Sequence, residues 1–219
     1  MFVFIFVIIL LNFQSIFASP QIIGIAGASG AGKTTFVQAI KQELGDRVAI
    51  ISMDNYYRDL SHLKFEERKK INFDDPASID TPILIDHITQ LKNGNDIDQP
   101  IYDYKSKLRS EETVLIRPLE TILIDGFLLL AIPEVRKLCD FNIFIEAKEV
   151  ECLFRIIERD QIERGFTLED IKQRYLDFVQ PCYQQYILES RYYADIIVPN
   201  GLENKRAFQL VLDLIRKYQ

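Results

Sequence analysis

The stretch from Gly27 to Thr34 reads GASGAGKT, which satisfies the spacing G-x-x-x-x-G-K-[ST]. It follows the apolar run QIIGIAG and opens a segment of helical character from Lys33 to about Leu44. A strand that feeds a glycine turn and then a helix is the setting this spacing requires. The glycines tolerate positive φ, so successive backbone N–H groups can converge on phosphate oxygens. The expected nucleotide cradle is Gly27, Ala28, Ser29, Gly30, Ala31, Gly32, Lys33, Thr34 and Thr35. Lys33 is expected to reach the β- and γ-phosphates, and the Thr34 hydroxyl to ligate Mg²⁺. Asp125 ends the apolar run TILID, where a second carboxylate can act on the same metal through water. The expected donor is ATP or GTP. A guanine-reading N-K-x-D stretch is missing from the sequence, which counts against a GTPase.

Around the cradle, β-rich runs alternate with longer helical ones. RVAIISMD reads as a second strand that ends in Asp54, and LKFEERKKINF as a charged helix. SIDTPILIDHITQLKNG carries Ile83, Leu84, His87, Ile88 and Leu91 at helical spacing and stops at Gly94. QPIYDYK and EETVLIRP alternate as a hairpin outside the main sheet. TILIDGFLLL and FNIFIEA read as buried strands. A helical region runs from Lys148 to about Leu188 with interruptions at Gly165 and Pro181; YADIIVPNG is a last strand, and Asn204 to Tyr218 a closing helix. This order predicts an α/β P-loop NTPase fold: a doubly wound, mostly parallel sheet with helices on both faces. No repeat or low-complexity linker divides the chain, so residues 21–219 are expected to form one domain.

Residues 1–20 stand apart. Phe2 to Leu11 is unbroken and apolar, long enough for a signal-peptide core and too short to span a bilayer. No Lys or Arg precedes it, and Ile16 or Phe17 falls where export cleavage wants a small residue. The expectation is an apolar extension, signal-like or a non-native start, on a cytoplasmic protein, with export or membrane anchoring as the alternative. The formal net charge of −6 argues against nucleic acid as a partner. Cys139, Cys152 and Cys182 lack metal-ligand spacing and cannot all pair, so they read as reduced structural thiols.

Several further stretches occur in order: DNYY, SHL and EER, NFDDP, PIYDY, DGFLLL, ERG, YADIIVP and a trailing Asn204. Together with GIAGASGAGKTT they make the chain from Gln21 onward resemble the uridine–cytidine kinase family of P-loop nucleoside kinases. That resemblance implies transfer of the ATP γ-phosphate to the 5′-hydroxyl of a pyrimidine nucleoside, and a homo-tetramer. Asp54 falls on the family's catalytic carboxylate, and Asp74 on the residue that holds the ribose hydroxyls. Phe73, Tyr102 and Tyr104 fall on positions lining the nucleoside pocket. Arg155, Arg159 and Arg164 fall on a helical lid. Arg159 and Arg164 are expected to act beside Lys33 and Asp54 in catalysis, whereas Arg155 stays open between function and a solvated face. Glu163, four residues from Arg159, is a candidate ion-pair partner.

The departures from the family lie mainly on the acceptor side. Lys107 stands where a histidine usually reads the base, Phe166 where an arginine also faces it, and Ile156 where an arginine contacts the ribose. Arg174 replaces a glutamine, Asn200 an arginine, and Asp125 a glutamate. Lys107 therefore joins the expected nucleoside-binding set, with a preference for uridine over cytidine. Two other readings stay open: an ATP-dependent kinase of a different small alcohol, or a nucleotide-binding module without turnover.

Overall fold

The computed structural model describes residues 19–218. The expected N-terminal extension therefore lies, apart from Ser19 and Pro20, outside the described residues. Among those residues, five strands form a parallel sheet: β1 (Gln21–Gly27), β2 (Val48–Ser52), β5 (Thr121–Asp125), β6 (Phe141–Glu146) and β7 (Ile196–Pro199). Their order is β2-β5-β1-β6-β7. The chain leaves β1 toward one edge and later crosses to β6 on the other side. A crevice at the carboxyl ends of the strands beside β1 follows from that reversal.

Alternation along β1 explains why helices cover both faces. Ile22 and Ala26 point into one apolar cluster, with Leu84, Ile88 and Leu91. Ile23 and Ile25 point into another, with Phe36, Ile40, Val211 and Ile215. Strands buried on both sides need such continuous apolar runs. The first face is covered by α3 (Thr81–Lys92), and the second by α1 (Lys33–Leu44) and α9 (Lys205–Tyr218). His87 is not part of the buried stripe of α3; its Nδ1 lies 3.0 Å from the Tyr56 hydroxyl.

Strands β3 (Ile97–Asp103) and β4 (Leu108–Ile116) form the expected separate hairpin. Its register shifts between Pro100 and Tyr102. There the Tyr102 N–H donates instead to Asn55 Oδ1 at 3.1 Å, and the Ser52 N–H donates to Gln99 Oε1 at 3.1 Å. The hairpin is thus pinned to the end of β2.

Four expectations need correction. The second strand stops at Ser52, and Asp54 lies on the 3₁₀ turn Met53–Tyr56 that follows. LKFEERKKINF holds only the short α2 (Phe65–Arg68). The strand in TILIDGFLLL stops at Asp125, before the 3₁₀ turn Leu129–Ala131 and α4 (Pro133–Arg136). The long helical region breaks near Gly165, between α5 (Glu149–Ile162) and α6 (Leu168–Arg174), but continues past Pro181. Pro181 lies in α7 (Gln180–Cys182), between π-helical turns Tyr175–Val179 and Tyr183–Ile187, ahead of α8 (Leu188–Ser190). Wider turns accommodate the missing proline donor without ending the helix. The three cysteines are free, as read from their spacing.

Gly126, directly after β5, sits where a Cβ would come within 2.6 Å of Met53 Sδ and 2.7 Å of its Cβ. This contact keeps the β5 end close to the turn that carries Asp54. Gly126→Ala is expected to cost about 1–3 kcal/mol through overpacking, read as a lower urea midpoint with an unchanged slope.

Candidate active site

The cradle has the backbone its glycines predict. Gly27, Gly30 and Gly32 have φ of 146°, 77° and 92°. Gly30 also admits the neighbouring helix, since a Cβ there would lie 2.5 Å from the Cys152 carbonyl oxygen. Lys33 Nζ donates to the Ala28 carbonyl at 2.9 Å, and the Thr34 hydroxyl donates to Asp125 Oδ2 at 2.6 Å. Burial lowers the Lys33 pKa, opposed by Asp125 and Asp54, and raises that of Asp125, opposed by Lys33. Thr34 and Asp125 offer two adjacent hard oxygens in a buried place, a donor set suited to a small divalent ion.

Ser29, Gly30, Gly32, Lys33, Thr34 and Thr35 line a cavity with Asp125 and Asp54. Gly27, Ala28 and Ala31 do not line this cavity; Ala28 and Ala31 border neighbouring ones. Arg155 also faces this cavity; it donates to the Gly30 carbonyl at 3.2 Å and pairs with Glu203 at 3.2 Å. Arg155 thus borders the cradle cavity and also makes surface ion pairs with Glu151 and Glu203, so both readings of it stay open.

A second cavity adjoins the first. Asp54, Tyr104, Arg159 and Arg164 line both, while Phe73, Asp74, Tyr102 and Lys107 line only the second of these two. All the acceptor residues expected from the sequence therefore meet in one place. The Tyr104 hydroxyl donates to Asp54 Oδ2 at 2.8 Å. Burial, and then Asp54, push the Tyr104 pKa up, so the phenol keeps its proton. Tyr57, Phe73, Tyr102 and Tyr104 pack edge-on or tilted, with ring centroids 4.8–6.1 Å apart. Burial raises the Asp74 pKa, with Arg174 opposing the shift. Lys107 sits at φ 57° in the hairpin turn, and its Nζ lies 4.8 Å from the Phe73 ring centroid and 5.7 Å from that of Phe166.

The lid is held by a residue that the motif reading overlooked. Asp160 is 0% exposed and receives Arg159 at 2.8 Å, Arg164 at 3.1 Å and Arg174 at 3.2 Å. Arg159 thus pairs with Asp160, not with Glu163. The signal was present in the spacing, because Cys152, Ile156 and Asp160 form the buried stripe of α5. Ile156 packs with Ile171 and Val179 between the lid helices, away from the second cavity. Arg174, from α6, supplies a guanidinium to that cavity instead. The Arg164 guanidinium lies 3.8 Å from the Tyr104 ring centroid, closing the junction of the two cavities.

Residues 22–207 match the model of the phosphoribulokinase / uridine kinase family. A uridine kinase of Clostridium novyi is 39% identical over 199 residues, covering 90% of this chain and 96% of that protein. A uridine kinase of Streptococcus equi subsp. zooepidemicus is 41% identical over 193 residues, covering 88% and 93%. The solved phosphoribulokinase of Rhodobacter spheroides superposes with a TM-score of 0.63 at 14% identity, over 83% of this chain and 70% of that one. At that identity the likeness speaks for the fold.

Removing the charge of Asp160 leaves clustered guanidiniums without their counter-ion. Asp160→Asn is expected to lower stability by about 3 kcal/mol in urea unfolding. Lys148→Ala, which removes an exposed pair with Glu151, should cost under about 1 kcal/mol.

Proposed function

The chain belongs to the phosphoribulokinase / uridine kinase family, and from that premise we propose that it phosphorylates the 5′-hydroxyl of uridine with ATP. The observation that carries this reading is the carboxylate of Asp54 at the junction of the cradle cavity and the aromatic cavity. Tyr104 fixes one Asp54 oxygen and leaves the other to accept the 5′-hydroxyl proton as the oxygen attacks the γ-phosphorus. Lys33, Arg159 and Arg164 offset the charge that spreads over the transferring phosphoryl oxygens. Asp74 accepts the ribose hydroxyls, aided by Arg174, and Phe73 and Tyr102 hold the base. Thr34 and Asp125 hold Mg²⁺, which neutralises charge on the donor phosphates when bound. The place of action is the cytoplasm, where ATP is supplied; among the described residues no helix is long and apolar enough to cross a membrane.

ADP release against a panel of nucleosides and sugar alcohols tests the reading. Uridine should head the panel, and turnover confined to non-nucleoside alcohols would reject it. Asp54→Asn should lower kcat by about 10²–10⁴-fold, the span of general-base catalysis, with ATP affinity retained.

Lys107 sets the pH behaviour of base choice. An ammonium donates to O4 of uracil but cannot accept from the cytosine amino group. Burial first, then Arg174 and Arg164, lower its pKa to about 8. Uridine should therefore be preferred over cytidine by about 1–3 kcal/mol below that pH. The preference should shrink as pH rises through it and the amine loses its proton. Equal kcat/KM for the two nucleosides at pH 7 would contradict this role.

A further inference from the structure

The acceptor cavity does not end at the base-reading residues. Lys69, Lys107, Phe166 and Arg174 line it and also line a third cavity farther out, walled by Phe65, Lys70 and the α6 face. The three spaces thus run in series. Asp54 marks the junction with the cradle, so a nucleoside whose 5′-hydroxyl faces Asp54 directs its C4–C5 edge toward the outer junction. Past that edge the boundary between the two spaces is made of side chains, Lys69, Lys107, Phe166 and Arg174, which border both.

The outer space is cationic. Among the described residues Lys107 has no carboxylate within ion-pair distance, and its ammonium lies over the Phe73 and Phe166 rings. Among the described residues the one carboxylate that Lys69 pairs with is Glu66, at 3.3 Å and with both side chains at least half exposed, a weak claim on its charge, and its ammonium also lies 4.8 Å from the Phe65 ring centroid. Two acids share the outer wall, and the three lysines outnumber them. Asp170 accepts from the Thr167 N–H and hydroxyl at the start of α6, and Asp177 accepts from the Gln173 amide. Lys70 adds another positive group, and Phe65 and Phe166 provide apolar surface beside it.

We propose that this outer cavity is an acceptor subsite for an acidic side arm on the base, so that the enzyme accepts pyrimidine ribonucleosides carrying a carboxylate-bearing substituent at C5. The proposal rests on the 5′-kinase reading above. The arm's carboxylate pairs with Lys107 and Lys70 while the aromatic rings cover its methylene. The reaction itself is unchanged: the 5′-oxygen forms the new bond to phosphorus, ADP leaves, and the hydroxyl proton passes to Asp54.

The test compares kcat/KM for uridine, 5-carboxymethyluridine and its uncharged methyl ester, using the full chain and saturating ATP. The acid should fall within about tenfold of uridine and exceed the ester by about tenfold, the scale of one charged contact. Lys70→Glu, on the outer wall alone, should lower the value for the acid by about fivefold and leave uridine within about twofold. Uridine turnover with the acid no better than the ester overturns the subsite while the kinase reading stands. Failure of all three nucleosides overturns both, and turnover of the acid without uridine supports the subsite.

Discussion

A buried carboxylate with three guanidiniums around it holds the working end of this molecule together. Arg159, Arg164 and Arg174 come from α5, the turn after it and α6, and all meet Asp160 within 3.2 Å. Without that counter-ion, guanidiniums converging on one junction would repel and swing into solvent. A buried ion cluster is weak evidence for net stability, because desolvation offsets most of the attraction. Its use here is positional: it ties two lid helices together and aims positive charge at the place where a phosphoryl group would move. The Phe166 N–H, bonded to the Asp160 carbonyl at 3.1 Å, anchors the intervening turn to the same residue.

The sheet provides the other half of the geometry. Parallel order around β1 brings the cradle, Asp125 and the turn carrying Asp54 to one edge. The hairpin is outside the sheet, yet Gln99 and Asn55 stitch it to β2, and Tyr104 reaches Asp54 from it. The cradle cavity and the aromatic cavity therefore share residues rather than merely facing each other. That sharing is what in-line transfer requires, since an attacking oxygen about one ångström out of place forfeits much of the advantage of proximity.

Much of this was legible in the residues. The cradle, the two-faced sheet and the separate hairpin follow from spacing and alternation, because those patterns answer to backbone geometry alone. Asp54, Asp74 and the aromatics were legible only through the family resemblance; nothing local distinguishes them from turn or core residues. Asp160 went unread although it lies on the apolar stripe of α5, because a helix pattern shows that a carboxylate is buried but not which distant cations meet it. The acceptor-side departures looked like losses position by position. In three dimensions Arg174 brings to the pocket from α6 a charge that Ile156 cannot bring from α5. Pro181 misled for the opposite reason, since a helix can widen into π turns when packing on both sides holds it.

The central claim is a direction: 5′-hydroxyl toward Asp54, base toward Lys107. The ³¹P NMR spectrum of the product formed from uridine and ATP, recorded without proton decoupling, tests it most directly. A 5′-phosphomonoester couples to two protons on C5′ and gives a triplet, which is the result predicted as the only new phosphomonoester signal. A doublet from a 2′- or 3′-phosphate, or orthophosphate alone, would contradict the placement of the acceptor and the role assigned to Asp54.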